Sequence, residues 1–252
     1  MRREEIATLP LIIVRYLDYL SAIKNKSELT VLEYASDLRM FFRYLKQSKG
    51  LCDKKLPLEE IGISDLTDDF IFKVTLNDAY AFLSYCRNVR NNNTNARARK
   101  AVAIKRFYRY LEVNGHIDKS PVMHLESPQT KRALPRYLTL EQSIALLDSV
   151  EGKFKERDYC IITLFLNCGL RLSELIGINL SHIKDDNTLR VLGKGNKERT
   201  VYLNAACVAA IEDYMKVRPA DGLKDRDALF ISNQKKRISR QSVQKIVEGC
   251  LE

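Results

Sequence analysis

The chain has 252 residues, of which 45% are hydrophobic, and a formal net charge of +10. This length can fill two packed cores, so we expect two domains. The excess of lysine and arginine favours a phosphate-bearing partner such as nucleic acid, although charge alone does not distinguish such a protein from an ordinary basic one.

The amino terminus and the cysteines bear on the location of the protein. Met1-Arg-Arg-Glu-Glu leads into an amphipathic pattern with Arg15 and Asp18, and no later apolar run reaches the length of a membrane span. We therefore expect neither a signal peptide nor a membrane segment. The six cysteines show no C-x-x-C spacing, which predicts reduced thiols rather than disulfides or zinc ligands and indicates the cytoplasm.

The first half of the chain is predicted to be helical. Apolar residues recur at helical intervals in 9–23, and Ser27 or Thr30 can cap a second helix. Residues 46–69 are predicted to be a long connection, because glycine and proline interrupt the periodicity there. Helical periodicity resumes at Leu76.

The predicted helix from Asn95 to Val113 lies in the most one-sided stretch of charge in the chain. Between positions 87 and 109 no residue is acidic, and eight are basic: Arg87, Arg90, Arg97, Arg99, Lys100, Lys105, Arg106 and Arg109. Five of these are predicted to form one broad face along DNA while the aromatic side chains pack inward: Arg97, Arg99, Lys100, Lys105 and Arg106. The alternative is a solvated charged face, but such faces normally mix signs.

A linker is predicted after this helix. Gly115 ends the helical pattern, and three of the six prolines fall between Asp118 and Pro135. We place the linker at 116–137, between a first domain at 1–115 and a second domain at 138–252.

The second domain is predicted to be mostly helical with a small antiparallel sheet. Thr139 and Gln142 form a capping box, and an almost entirely apolar helix runs from Arg157 to Cys168 before Gly169 ends it. Further predicted elements are a helix that restarts at Ser173 or the turn before it, a β-hairpin at 189–192 and 200–203, a helix at 205–217, a short strand at 229–231 and a helix at 240–250 capped by Ser239.

Two short blocks carry residues suited to phosphate chemistry. Cys168-Gly-Leu-Arg-Leu-Ser-Glu-Leu175 places Arg171 and Glu174 one helical turn apart, so that a carboxylate can hold a guanidinium. Leu192-Gly-Lys-Gly-Asn-Lys-Glu-Arg199 places Lys194 in the hairpin turn. Taken singly, these would be an ordinary surface ion pair and a basic hairpin tip. The second block is not a nucleotide-binding P-loop, because the G-x-x-x-x-G-K-[ST] spacing is absent.

Together the two blocks resemble the first catalytic box and the hairpin lysine of the tyrosine recombinases, the DNA integrase family, and in particular its Xer-like bacterial members. The resemblance implies a mainly α protein, in which a helical SAM-like core-binding domain precedes a mostly helical catalytic domain with a small antiparallel sheet (α+β). A basic linker with Lys131 and Arg132 would follow the DNA phosphates.

The resemblance also implies a chemistry. Strand cleavage would proceed through a 3′-phosphotyrosyl intermediate without a metal or another cofactor. Arg171 would bind the reacting phosphate, Glu174 would orient Arg171, and Lys194, or its competitor Lys197, would protonate the leaving group. Lys197 and Arg199 are further expected contacts to DNA.

The remaining catalytic boxes of the family are a His-x-x-Arg motif, a further His or Trp, and the nucleophilic tyrosine, and they do not occur before Glu252. We therefore expect a catalytic domain that is incomplete at its C-terminus. This chain would bind double-stranded DNA without cleaving it, and the full-length parent would recombine DNA as a homotetramer, with or without a second recombinase. The alternative is a naturally short DNA-binding protein that occupies a recombination site without catalysis.

Overall fold

The computed structural model describes residues 3–129, 137–193 and 197–251, and for residues 3–5 it describes the backbone alone. The chain divides into two compact units, Met1–Ala133 and Leu134–Glu252. The architecture is mostly helical with one small antiparallel sheet, so the predicted fold class is confirmed.

The first unit is helical. A 3₁₀ helix at Arg3–Thr8 precedes α1 (Leu11–Ala22) and α2 (Glu28–Ser48), a 3₁₀ turn at Leu58–Glu60 and the short α3 (Asp68–Phe72) follow, and α4 (Leu76–Asn88) and α5 (Thr94–Val113) complete the set. Ser27 is the residue that caps α2, because its hydroxyl accepts the backbone N–H of Thr30.

One aromatic-rich core holds the first unit together. The largest side chains that are fully buried there are Tyr16, Phe41, Phe42, Phe82, Phe107 and Tyr108. Val122 and Leu125 belong to the same core, so residues after α5 that fall within the predicted linker pack on this unit. The later part of that segment, 130–136, lies outside the described residues, and the linker at 116–137 stays a prediction.

The second unit builds a core around α7 (Lys155–Cys168) and α9 (Ala205–Val217), which pack against each other. The other elements are α6 (Leu140–Asp148), α8 (Leu172–Ile176), a 3₁₀ turn at Leu180–His182, β1 (Thr188–Leu192), β2 (Glu198–Tyr202) and α10 (Arg240–Gly249). The predicted caps are confirmed: Thr139 and Gln142 form a capping box, and Ser239 caps α10.

The predicted strand at 229–231 is wrong. This segment forms only isolated bridges, in which Ala228 pairs with Asn179 and Ile231 with Arg237. The physical reason is that the backbone carbonyls here are taken by a side chain, since Arg218 donates from Nε to the Leu229 oxygen at 3.1 Å and from Nη2 to the Ala228 oxygen at 2.7 Å. A continuous strand ladder needs those acceptors.

A candidate phosphate-binding site

The Arg171 turn is built by a helix stop followed at once by a helix start. Gly169 ends α7 in the left-handed conformation with φ of +56°, although a side chain there would meet no neighbouring atom. Glycine is therefore used for its backbone freedom and not for space. The chain reverses, and α8 begins at Leu172 with Arg171 immediately before it. This geometry places Arg171 in the turn between α7 and α8.

The carboxylate of Glu174 holds this turn through hydrogen bonds. Its Oε2 accepts the Arg171 backbone N–H at 2.9 Å, and its Oε1 accepts Nη1 of the Arg171 guanidinium at 2.7 Å. The Glu174 side chain is 1% exposed, whereas that of Arg171 is 69% exposed. The carboxylate therefore fixes one edge of the guanidinium and leaves the rest of it open to a ligand.

Arg199 is the second partner of the same carboxylate. Its Nη2 donates to Glu174 Oε2 at 2.9 Å and lies 3.4 Å from the carbonyl oxygen of Gly169. Burial alone would raise the pKa of Glu174, but the hydrogen bonds from Arg171 and the charges of Arg199 and Arg171 outweigh it and hold that pKa below its ordinary value. Glu174 therefore stays ionised near neutral pH and joins β2 to the Arg171 turn.

The base of the hairpin closes tightly over Glu174. β1 and β2 are antiparallel, with Leu192 opposite Glu198 and the Gly193 N–H donating to the Lys197 oxygen at 2.7 Å. A Cβ atom at Gly193 would lie 3.3 Å from that oxygen and 3.4 Å from Glu174 Oε1. Glycine leaves room here for the close Lys197 carbonyl, because a Cβ atom would crowd that oxygen and would also touch the carboxylate that holds the two arginines.

The structure does not describe several of the predicted site residues. Lys194 lies outside the described residues, as do Lys131 and Arg132, so their roles stay predictions. Lys197 and Arg199 are exposed at the base of the hairpin. The structure thus brings together Arg171, Glu174 and Arg199, and Lys197 contributes its backbone carbonyl to the hairpin.

The cations of α5 do not share one face, which contradicts that part of the prediction. Arg97 and Arg106 are nine residues apart and therefore about half a turn apart around the helix, at 3.6 residues per turn. Arg97 lines a surface cleft with Arg87 of α4. Lys105, Arg106 and Arg109 line a separate groove that residues 120–123 close on the other side.

Two of the predicted DNA-binding residues are used inside the protein. Asp37 of α2 is 2% exposed, and it accepts Nη1 of Arg99 at 2.6 Å and Nζ of Lys100 at 2.8 Å. Lys100 is itself buried, so assigning it to an exposed DNA-binding face was wrong. A buried carboxylate needs cationic partners, and α5 supplies both of them. Asp37 was not among the predicted site residues, although its place among the apolar residues of α2 was a signal.

The remaining cations of this stretch differ in how far they are neutralised. Arg90 pairs with Glu59 at 2.5 Å and Arg109 with Glu112 at 2.7 Å. Over the residues that the structure describes, no carboxylate pairs with Arg97, Lys105 or Arg106. Their polar partners are neutral: the Thr94 hydroxyl, the Leu125 carbonyl and the Tyr34 hydroxyl, respectively. Their positive charge is therefore available to an external anion.

Within 3–129, 137–193 and 197–251, no group of three or more histidine, cysteine, aspartate or glutamate residues could hold a metal ion. None of the helices in these ranges is both long enough and apolar enough to cross a membrane.

The family models and the relatives that match this chain belong to the same kind of protein. A model of the phage integrase family matches residues 136–252, and a model of the phage integrase N-terminal SAM-like domain matches residues 13–61. The chain is 52% identical over 243 residues to the tyrosine recombinase XerC of Caldanaerobacter subterraneus subsp. tengcongensis. The aligned region covers 96% of this chain and 69% of that protein. The chain is 30% identical over 235 residues to the XerC of Psychromonas ingrahamii, with 92% and 72% covered.

Solved structures share the fold. The XerH site-specific recombinase bound to a palindromic difH substrate superposes with a TM-score of 0.66 at 19% identity, covering 90% of this chain and 64% of that one. A lambda integrase tetramer bound to a Holliday junction gives a TM-score of 0.63 at 16% identity, covering 95% and 65%. At such identities the likeness extends to the fold alone.

Proposed function

Because the chain belongs to the phage integrase family of tyrosine recombinases and is Xer-like, we propose that it binds double-stranded DNA and supplies the phosphate-holding part of site-specific recombination. The observation that carries this proposal is the Arg171 guanidinium, which is held on one side by buried Glu174 and is open on the other.

The chemistry that this arrangement serves is phosphoryl transfer. Negative charge on the non-bridging oxygens of the phosphodiester must be stabilised as a tyrosine oxygen attacks, and a fixed cationic donor does this best. Arg171 is the proposed donor, since a guanidinium can offer a phosphate two parallel hydrogen bonds. Glu174 is proposed as a positioning residue, because its buried carboxylate contacts the two arginines.

Arg199 is also proposed as a positioning residue rather than as a general DNA contact. It shares Glu174 with Arg171 and lies on β2, so it connects the Arg171 turn to the hairpin that carries Lys194. Lys194 is proposed to protonate the 5′-hydroxyl leaving group, with Lys197 as its competitor. A hairpin anchored at its base would limit the positions that a lysine at its tip can reach.

The 252 residues contain no His-x-x-Arg sequence, so we propose that this polypeptide binds DNA without cleaving it by itself. Recombination, as a homotetramer on DNA and with or without a second recombinase, is proposed for the full-length parent, in the cytoplasm where the chromosome lies. Incubation with a nicked duplex that traps covalent intermediates is expected to give a complex but no protein–DNA adduct. An adduct at any tyrosine, for example at the exposed Tyr202, would contradict this.

Binding itself is tested by its salt dependence. If the cations of the α5 groove contact phosphates, log K falls with log salt at a slope of about −0.9 per contact. Replacing both Lys105 and Arg106 by alanine should weaken binding and flatten the slope by about two units, since neither is neutralised by a carboxylate. Arg90→Ala is the matched control from the same basic stretch, and its slope should stay unchanged because Glu59 already neutralises Arg90.

The role of Arg171 is separated from general binding by a third variant. Arg171→Ala should leave the affinity of the chain for duplex DNA within about threefold of the original, because one phosphate contact is lost among several. If Arg171→Ala loses as much binding free energy as each residue loses in the Lys105/Arg106 variant, and flattens the salt slope by about one unit, Arg171 is one more backbone contact and the proposed specialisation is refuted.

A further inference from the structure

Two cysteines meet beside the candidate site. Cys168 is the last residue of α7 and Cys207 lies in the first turn of α9, and their Sγ atoms are 3.7 Å apart. Cys207 is fully buried, whereas Cys168 is partly exposed. A partly exposed thiol next to a buried one gives an external reagent access to the first and keeps the second within reach for a following step.

A hydrogen bond also joins the C-terminal end of α7 to the N-terminal end of α9. The side-chain amide of Asn204, which caps α9, donates to the Asn167 Oδ1 at 2.8 Å, and the Asn204 Oδ1 accepts the Cys207 backbone N–H at 2.9 Å. α7 and α9 also pack against each other. The two sulfur atoms are therefore held close by the core of the second unit and do not depend on a loop for their approach.

The hydrogen bond between the two thiols makes them chemically different. It lowers the pKa of Cys168 and raises that of Cys207, and in the neutral pair either sulfur can be the donor. The thiolate form is thus favoured on the more exposed cysteine, and thiolates are the forms that react. Cys160, by contrast, is fully buried, and burial raises its pKa to about 12.

We infer that Cys168 and Cys207 form an oxidisable dithiol, a modification site for a peroxide. The Cys168 thiolate attacks one peroxide oxygen, so that an S–O bond forms, the O–O bond breaks and the departing hydroxide takes up the thiol proton as water. The Cys207 sulfur then attacks Cys168 Sγ, forming the S–S bond and expelling the second oxygen as water with the Cys207 proton. Two thiols and one hydrogen peroxide thus give one disulfide and two waters.

The position of the pair gives the modification a consequence. The segment between the two cysteines contains Arg171, Glu174 and both strands up to Arg199 and beyond. A disulfide would therefore close the whole candidate phosphate site into one covalent loop at the junction of α7 and α9. This inference does not depend on the proposed DNA binding, since it concerns only the two thiols.

The test uses the purified reduced chain, treated with hydrogen peroxide at a few equivalents, alkylated and digested with trypsin. The expected product is a disulfide between the peptides 158–171 and 200–216, with Cys52, Cys86 and Cys250 still alkylated. Because peptide 158–171 holds both Cys160 and Cys168, fragmentation of the linked pair must place the bond at Cys168.

Two variants make the result decisive. Cys160→Ala should retain the link, and Cys168→Ala should lose it, since the buried Cys160 lacks access to the peroxide. Reduction with dithiothreitol should return both thiols. Two outcomes would overturn the inference: a disulfide that fragmentation places at Cys160, or oxidation of Cys168 to a sulfinic acid while Cys207 stays a free thiol. Fragmentation of the wild-type product distinguishes these outcomes even where a variant folds poorly.

Discussion

Replacing Glu174 by glutamine keeps the shape of the side chain but removes the charge that joins Arg171 to Arg199. Three hydrogen bonds reach this carboxylate, at 2.7 to 2.9 Å. In the amide one oxygen becomes an NH₂ group, so at least one arginine donor would face another donor. A charge-assisted hydrogen bond contributes about 1.5–3 kcal/mol to stability.

The expected loss lies towards the lower part of that range. The side chains of Arg171 and Arg199 are 69% and 41% exposed, so water can solvate them once the carboxylate is gone. We expect the free energy of unfolding of the second unit to fall by about 2 kcal/mol at pH 7. The measurement is hydrogen exchange by mass spectrometry in urea, followed on peptides from α7 and α9, which form the core of that unit.

A matched control lies in the same hairpin. Glu198 pairs with Arg190, and both side chains are 49% exposed, so Glu198→Gln should cost no more than about 0.5 kcal/mol. A loss in Glu174→Gln that does not exceed the loss in Glu198→Gln would refute the argument that Glu174 anchors the site.

The pH dependence gives a second check on the same variant. The pKa of Glu174 is lowered in the folded chain, so its ionised form stabilises the fold above the unfolded-state pKa, and this stability is lost as the pH falls through the lower folded value. The difference in the free energy of unfolding between the wild type and Glu174→Gln should therefore have its full size near neutral pH. This difference should become smaller as the pH falls below about 4.3.

Two further changes test features elsewhere in the fold. Lys100→Met should lower the free energy of unfolding of the first unit by about 2–3 kcal/mol at pH 7, because buried Asp37 keeps only Arg99. Burial already raises the pKa of Asp37, so this loss should become smaller as the pH falls and the carboxyl takes up its proton. Urea unfolding at neutral and at acidic pH checks the sign. Gly169→Ala should cost the second unit about 1 kcal/mol, because its φ of +56° strains any L side chain, and an unchanged melting temperature would contradict this.

The local signals in the sequence gave reliable expectations about local structure. The stop at Gly169, the cap at Ser239 and the hairpin between positions 189 and 203 follow from turn and capping chemistry that acts over a few residues, and the structure has all three. The motif around Arg171 and Glu174 could be found in the same way, because its two residues are one helical turn apart.

Contacts between distant parts of the chain could not be predicted in this way. Asp37 and Lys100 are 63 positions apart, and no periodicity in α5 indicates that one of its cations is taken by a carboxylate of α2. The signal that was available lies in α2, where Asp37 stands three residues after Tyr34 and four before Phe41, both buried. A charged residue on an apolar face predicts an internal partner, and a basic helix nearby supplies one.

The contacts of Glu174 with the Arg171 turn also bear on the free energy with which the proposed phosphate would bind. A free arginine side chain has about 2 kcal/mol of rotamer entropy to lose when it is immobilised on a ligand. In this fold much of that ordering is complete before any phosphate arrives, because both the backbone N–H and the guanidinium of Arg171 are already tied to one carboxylate. The reorganisation occurs during folding, so the phosphate that we propose for this site would meet a guanidinium that is already oriented.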